Sequence, residues 1–152
     1  MIFDIDKQNE GEWFTYFKSR VNEKGEIEYD EPEPNAGRVC VRSITPKLEE
    51  LQASRKRKFE FVFNPATRSM ERVGYYEELP PEEVRKRSDD VWDYSITAWE
   101  GLLNAKGKPI ECNRTNKLKL MAIPEFDRFI GRCLQMLGDA KTKAEAEKNE
   151  NL

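Results

Sequence analysis

Two apolar stripes in the back half of the chain restrict its fold more than anything else in the sequence. Trp92, Ile96, Trp99 and Leu103 recur at helical spacing. Phe126, Phe129, Ile130, Cys133, Leu134 and Leu137 repeat the same period. Each stripe needs an apolar cover, supplied by the other stripe, by the front half or by a partner. The pattern predicts a helix from about Pro81 to Leu103, with Pro81 in its first turn and Glu82 and Glu83 beside its positive end. A loop follows over 104–115, with one short bridge around Ile110. Next come a short helix over 116–122, capped from Asn113 or Thr115, and a last helix over 124–137 opened by Pro124.

The front half carries the other period. Ile2, Phe3 and Ile5 form a short alternating set that suits an edge strand. The run EWFTYFKSR over 12–20 is dense in aromatics, as a half-buried strand is. Trp13, Thr15 and Phe17 would share one face and Phe14 and Tyr16 the other, which predicts cover on both sides. Residues 22–25 signal a turn, 26–29 a returning strand, and 30–35, with two prolines and three acids, an exposed loop. A strand is expected over 38–44. Thr45 then serves as N-cap and Pro46 as first residue of a short helix that ends in the basic run Arg55–Lys58, where the helix dipole favours cations. Phe59, Phe61 and Phe63 alternate as a strand does, Asn64-Pro65 marks a turn, and 70–76 returns.

The fold class expected is therefore α+β: N-terminal antiparallel strands and hairpins with one short helix, followed by a C-terminal helical half. One domain would span 1–138, strand-rich over 1–77 and helical over 81–138. The charged segment 139–152 would be a frayed helix extension or a disordered tail. The expected core is Trp13, Phe17, Val39, Val41, Phe59, Phe61, Phe63, Trp92, Ile96, Trp99, Cys133, Leu134 and Leu137.

Composition removes several function classes. The 152 residues include 26 basic and 29 acidic side chains and no histidine, for a net charge of -3. That balance gives no general attraction to nucleic acid or anionic lipid. The run Arg55–Lys58, with Arg68 and Arg72 further on, is a weak nucleic-acid signal beside the plainer reading of a solvated helix end. No apolar run reaches the roughly 20 residues of a membrane span. The acidic start does not look like a signal peptide, so a cytoplasmic location is expected. Cys40, Cys112 and Cys133 are too widely spaced for a zinc motif and odd in number, and Cys40 and Cys133 fit as small core residues.

Without histidine the usual hydrolase triad is excluded. Asp89, Asp90, Asp93 and Glu100 read as a solvated helix face. Lys106-Gly107-Lys108 lacks the remaining parts of a phosphate loop. No catalytic, metal or cofactor group is therefore assigned, and the chain is expected not to be an enzyme. Tyr94 lies off the tryptophan stripe and is free to face a partner. Met121 and Met136 suit either gap-filling or adaptable contact.

The block Trp99-Glu100-Gly101, Gly107-Lys108-Pro109-Ile110, Asn116-Lys117-Leu118 and Pro124-Glu125-Phe126, preceded by Ile96, resembles the small tail-assembly proteins of long-tailed bacteriophages and prophages. The likeness covers about a third of the chain and lies in the order and spacing of these pieces. It implies an assembly chaperone in the bacterial host cell, which holds the tape-measure protein, helps recruit tail-tube subunits and leaves before the virion is finished. In that family a longer form often arises by frameshifting near the gene's end. Another small tail or head–tail component shares the pattern. On this reading Tyr94, Phe126, Phe129, Ile130 and Met136 would form the partner-binding surface, open to a partner helix or to a homo-oligomer. The alternative is a small intracellular binding or regulatory module that touches nucleic acid through Arg55–Lys58.

Overall fold

The computed structural model describes Met1 and residues 9–138. The short strand read over Ile2, Phe3 and Ile5 and the tail read over 139–152 lie outside the described residues. The elements run β1 (Glu12–Thr15), β2 (Ser19–Val21), β3 (Ile27–Tyr29), β4 (Arg38–Val41), α1 (Thr45–Ala53), β5 (Arg57–Asn64), β6 (Ser69–Tyr76), α2 (Pro81–Ser95), β7 (Ile96–Glu100), α3 (Arg114–Met121) and α4 (Pro124–Met136). The fold is α+β, with strands gathered toward the front and helices toward the back.

The core forms on a three-stranded antiparallel sheet of order β1-β4-β7. Val39 and Val41 of the central strand are fully buried, and Phe129, Ile130, Cys133 and Leu134 of α4 are sealed in the same cluster with Trp92 and Ile96. Phe17, Trp99 and Leu137 are half-buried and pack against it. Helix α4 is tied to the β1–β2 corner. The Tyr16 and Phe17 rings meet Phe129 edge-on at 4.9 and 5.0 Å. Arg128 donates to the hydroxyl and the carbonyl of the buried Ser19. Helices α2 and α3 are joined by charge: Asp90 meets Arg114, and Asp93 meets both Arg114 and Lys117.

The long helix expected to reach Leu103 stops at Ser95, and Ile96–Glu100 is a strand. Here the Ser95 hydroxyl donates to the Arg42 carbonyl while the Arg42 amide donates to the Ser95 carbonyl, so the chain crosses into the sheet. Ile96 pairs with Val41 and Trp99 with Val39, across an irregularity at Cys40/Val41 that inserts one extra residue. This bulge places two residues three apart on one strand face. The spacing that looked helical is thus satisfied in a sheet. Leu103, the last of that stripe, is exposed and bridges Pro109 instead.

Other boundaries moved for local reasons. The aromatic run over 12–20 is split into β1 and β2, and β2 rather than β1 pairs with β3. Trp13 is not core. It stands in a row with Cys40 and Ala98 on the opposite face of the sheet from Val39, remains 45% exposed, and has the Arg38 guanidinium over its ring. Ile44, not Thr45, occupies the N-cap of α1, with no side-chain cap bond. Helix α1 ends at Ala53, so the basic run begins beyond its last turn. Asn113 caps α3 through its side-chain oxygen, as the sequence allowed.

The largest departure concerns Phe59, Phe61 and Phe63. They form a strand, but β5 and β6 make a two-stranded antiparallel ribbon in which no strand residue is buried. The phenylalanines are not core because, among the described residues, no helix or sheet buries either face of the ribbon.

Candidate functional site

Most groups with chemical potential are already used to hold the fold. Asp90 and Asp93 are neutralised by α3, and Glu100 bridges Arg38. Among the described residues no cluster of three His, Cys, Asp or Glu could hold a metal ion. Lys106-Gly107-Lys108 is a tight turn: Asn104 accepts from the amides of Lys106 and Lys108, and Gly107 takes φ +76. Burial pushes the Cys133 thiol up to about 12, far from a reactive thiolate. Cys112 is also shifted upward, chiefly by burial. Among the described residues no helix is long and apolar enough to cross a membrane.

The expected docking face on the C-terminal helices is not available. Phe126, Phe129 and Ile130 are buried against the sheet and the aromatic residues around β1, because the front half covers the α4 stripe. Tyr94 is engaged within the molecule: the Arg42 guanidinium lies 3.7 Å from its ring centroid, and Asn9 donates to its hydroxyl. Met136 remains exposed at the end of α4.

Two apolar surfaces stand out among the described residues. The first is a cavity of about 300 Å³ lined by Tyr16, Phe17, Leu102, Ile110, Leu120 and Ile123, with Lys18 and Glu33 paired at its edge. Gly101 and Phe126 also line it. Gly101 takes φ +75 and its ideal Cβ would sit 3.0 Å from Gly37 Cα, so a side chain there meets both backbone strain and a crowded neighbour. The Trp99 indole donates to the Ile110 carbonyl at 2.7 Å and holds the loop over the cavity.

The second surface is the β5–β6 ribbon. Its register places Arg57, Phe59, Phe61 and Phe63 opposite Tyr76, Gly74, Arg72 and Met70, and cross-strand partners share a face. Phe61 is 70% exposed and Met70 60% exposed. The Arg72 guanidinium lies 3.8 Å from the Phe59 ring centroid and that of Arg57 lies 5.5 Å from it. Gly74, opposite Phe59, leaves room for Arg57: a Cβ there would come within 2.5 Å of the guanidinium. The reverse face carries Lys58, Glu60 and Val62 opposite Tyr75, Val73 and Glu71. Its charges are answered locally, since Lys58 pairs with Glu77 and Asn64 donates to Glu71. The basic run therefore does not form one patch. Arg57 and Lys58 point to opposite faces, and Arg55 lies over Tyr76 and donates to the Glu77 carbonyl.

No protein-family model, curated protein or solved structure matches this chain. One signal in the sequence pointed to the ribbon: Arg57 shares the parity of the three phenylalanines, and a core-facing strand does not carry an arginine among its inward positions.

Proposed function

We propose that this chain is a non-enzymatic bacteriophage or prophage tail-assembly chaperone that grips its client through the β5–β6 ribbon. The observation that carries a docking role is the ribbon's surface. Phe59, Phe61, Phe63, Met70 and Tyr76 are exposed together on one face of a slender element, and Val62, Val73 and Tyr75 are exposed on its other face. Monomeric proteins rarely leave so contiguous an apolar surface open without using it in association. The family resemblance of the segment from Ile96 to Phe126 supplies the class, and with it the tape-measure and tail-tube proteins as clients and the host cytoplasm as the place of work. A ribbon standing clear of the core can hold an apolar client segment while the rest of the chain stays folded.

The test is co-expression with the products of the genes beside its own. The expected result is that a tube-like or long coiled-coil-rich product copurifies with the chain, and that Phe61→Ser with Phe63→Ser releases it without changing the circular dichroism spectrum. No copurification, or undiminished copurification by the variant, overturns the reading. The alternative of a nucleic-acid-contacting module has one observation in its favour, the two guanidiniums bracketing Phe59. It predicts a salt-dependent shift with DNA. Its weakness is that Lys58 faces away and is paired with Glu77.

A further inference from the structure

The two faces of the ribbon are chemically unlike, and the difference specifies what can lie on one of them. We infer that the phenylalanine face binds an acidic amphipathic helix of a partner protein, with the helix's apolar stripe on Phe61, Phe63 and Met70 and its carboxylates on Arg57 and Arg72. This rests on the reading of the ribbon as a protein-docking arm.

Three observations carry it. The first is charge. Every charged side chain on this face of the paired strands is an arginine, and among the described residues no ion pair reaches Arg57 or Arg72. The carboxylates of the paired strands, Glu60 and Glu71, stand on the reverse face. The second is the state of the guanidiniums. Both lie over the Phe59 ring, Arg72 at 3.8 Å and Arg57 at 5.5 Å from its centroid, and neither has a carboxylate partner among the described residues, so each is able to take one in a forked pair. The third is spacing. Residues two apart on a strand lie about 6.8 Å apart, close to the roughly 5.4 Å pitch of a helix, so Phe59, Phe61 and Phe63 span between two and three turns of a helix laid along them. Both guanidiniums gather at Phe59, in the basal half of the face, although Arg72 itself stands opposite Phe61, and Phe63 and Met70 stand toward the tip. The partner's acids are therefore concentrated at one end of its apolar stripe.

The competing occupants fit less well. A second copy using the same face would bring four arginines into one interface with no carboxylate on either side. A nucleic-acid strand would meet a weak field, because over 57–76 Arg57, Lys58, Arg68 and Arg72 are offset by Glu60 and Glu71, a net charge of +2.

The experiment uses the full chain and three fluorescein-labelled probes, read by anisotropy. One is a synthetic amphipathic helical peptide of about five turns with a leucine stripe flanked by glutamates. The second is its twin with every glutamate replaced by lysine. The third is a single-stranded oligothymidylate. The glutamate peptide is expected to bind at least about tenfold more tightly than either of the others. Arg57→Glu with Arg72→Glu is expected to weaken it by about tenfold or more, and rising salt to weaken it further. Arg57→Gln with Arg72→Gln provides a milder pair should the reversed charges disturb the ribbon. Equal binding of the lysine peptide, tighter binding of the oligonucleotide, no binding of the glutamate peptide, or indifference to the arginine variants overturns the inference. If the inference fails while Phe61→Ser with Phe63→Ser still releases the copurifying client, the docking arm stands. If that release fails as well, both fall.

Discussion

The Tyr16 hydroxyl donates to Glu125 Oε1 at 2.8 Å and joins the chain just beyond β1 to the first turn of α4. This contact spans most of the sequence and sits beside the edge-on packing of the Tyr16 ring on Phe129. Glu125 also stands at the helix's positive end, where a carboxylate is favoured. Tyr16→Phe keeps the ring and removes the donor. It is expected to cost about 1–2 kcal/mol, the range for a partly buried hydrogen bond to a charged acceptor. Urea denaturation of the two proteins at neutral pH measures the difference, and an unchanged midpoint would mean that solvent replaces the bond without loss.

Alkaline pH should loosen the same region. Burial pushes the Cys133 thiol from 9.0 to about 12, and Tyr16 is raised above its ordinary 10.0, first by burial and then by its bond to Glu125. In both groups the folded state holds the proton more tightly than the unfolded chain. Their contribution is therefore fully present below the unfolded values, starts to fall as pH passes 9 for the thiol and 10 for the phenol, and is gone only once pH has risen through the folded values. The melting temperature should be flat in respect of these groups from neutrality to about pH 9 and fall above it. Cys133→Ala should remove the earlier part of that fall while lowering the plateau slightly. A variant whose alkaline profile runs parallel to the parent's would show that the buried thiol is not its source.

The junction of α2 and α3 makes a separate prediction. Lys117, largely covered at 12% side-chain exposure, donates to both the carboxylate and the carbonyl of Asp93. Asp93→Asn leaves that ammonium with a neutral neighbour and weakens the link to Arg114. The expected loss is about 1–2 kcal/mol, above the usual yield of an exposed pair because the lysine is shielded. It should shrink little in high salt. A loss that vanishes with added salt would place the pair among ordinary surface contacts.

What the sequence made legible, and what it did not, follows from how periodicity works. Val39 and Val41, and the α4 stripe from Phe126 to Leu134, were readable because spacing and burial agree there. The stripe did not say who covers it, and the cover proved to be the chain's own front half rather than a partner. Ile96 and Trp99 misled because a bulge gives a strand the three-residue step of a helix. Phe59, Phe61 and Phe63 revealed a strand correctly but not its surroundings. Alternation reports which residues share a face and is silent on whether anything lies against that face. The site was visible only as an oddity, an arginine at the parity of the aromatics.

Two phenylalanines of equal volume therefore separate cover from alternation. Phe129 is fully buried where α4 meets the aromatic residues around β1, whereas Phe61 projects from the ribbon with little burial to lose. Phe129→Ala removes a ring from a close-packed site, and its expected cost is about 3–5 kcal/mol. Phe61→Ser exposes little and leaves no enclosed cavity, so its expected effect is within about 0.5 kcal/mol of zero. Chemical denaturation of both variants beside the parent decides the matter. A large loss on Phe61→Ser would mean that the ribbon folds back onto the body, and with it the docking arm would disappear. A small loss on Phe129→Ala would mean that α4 is held elsewhere than on the aromatic residues around β1. The pattern expected, a costly core ring and a nearly costless ribbon ring, follows from what covers each ring and not from its place in the alternation.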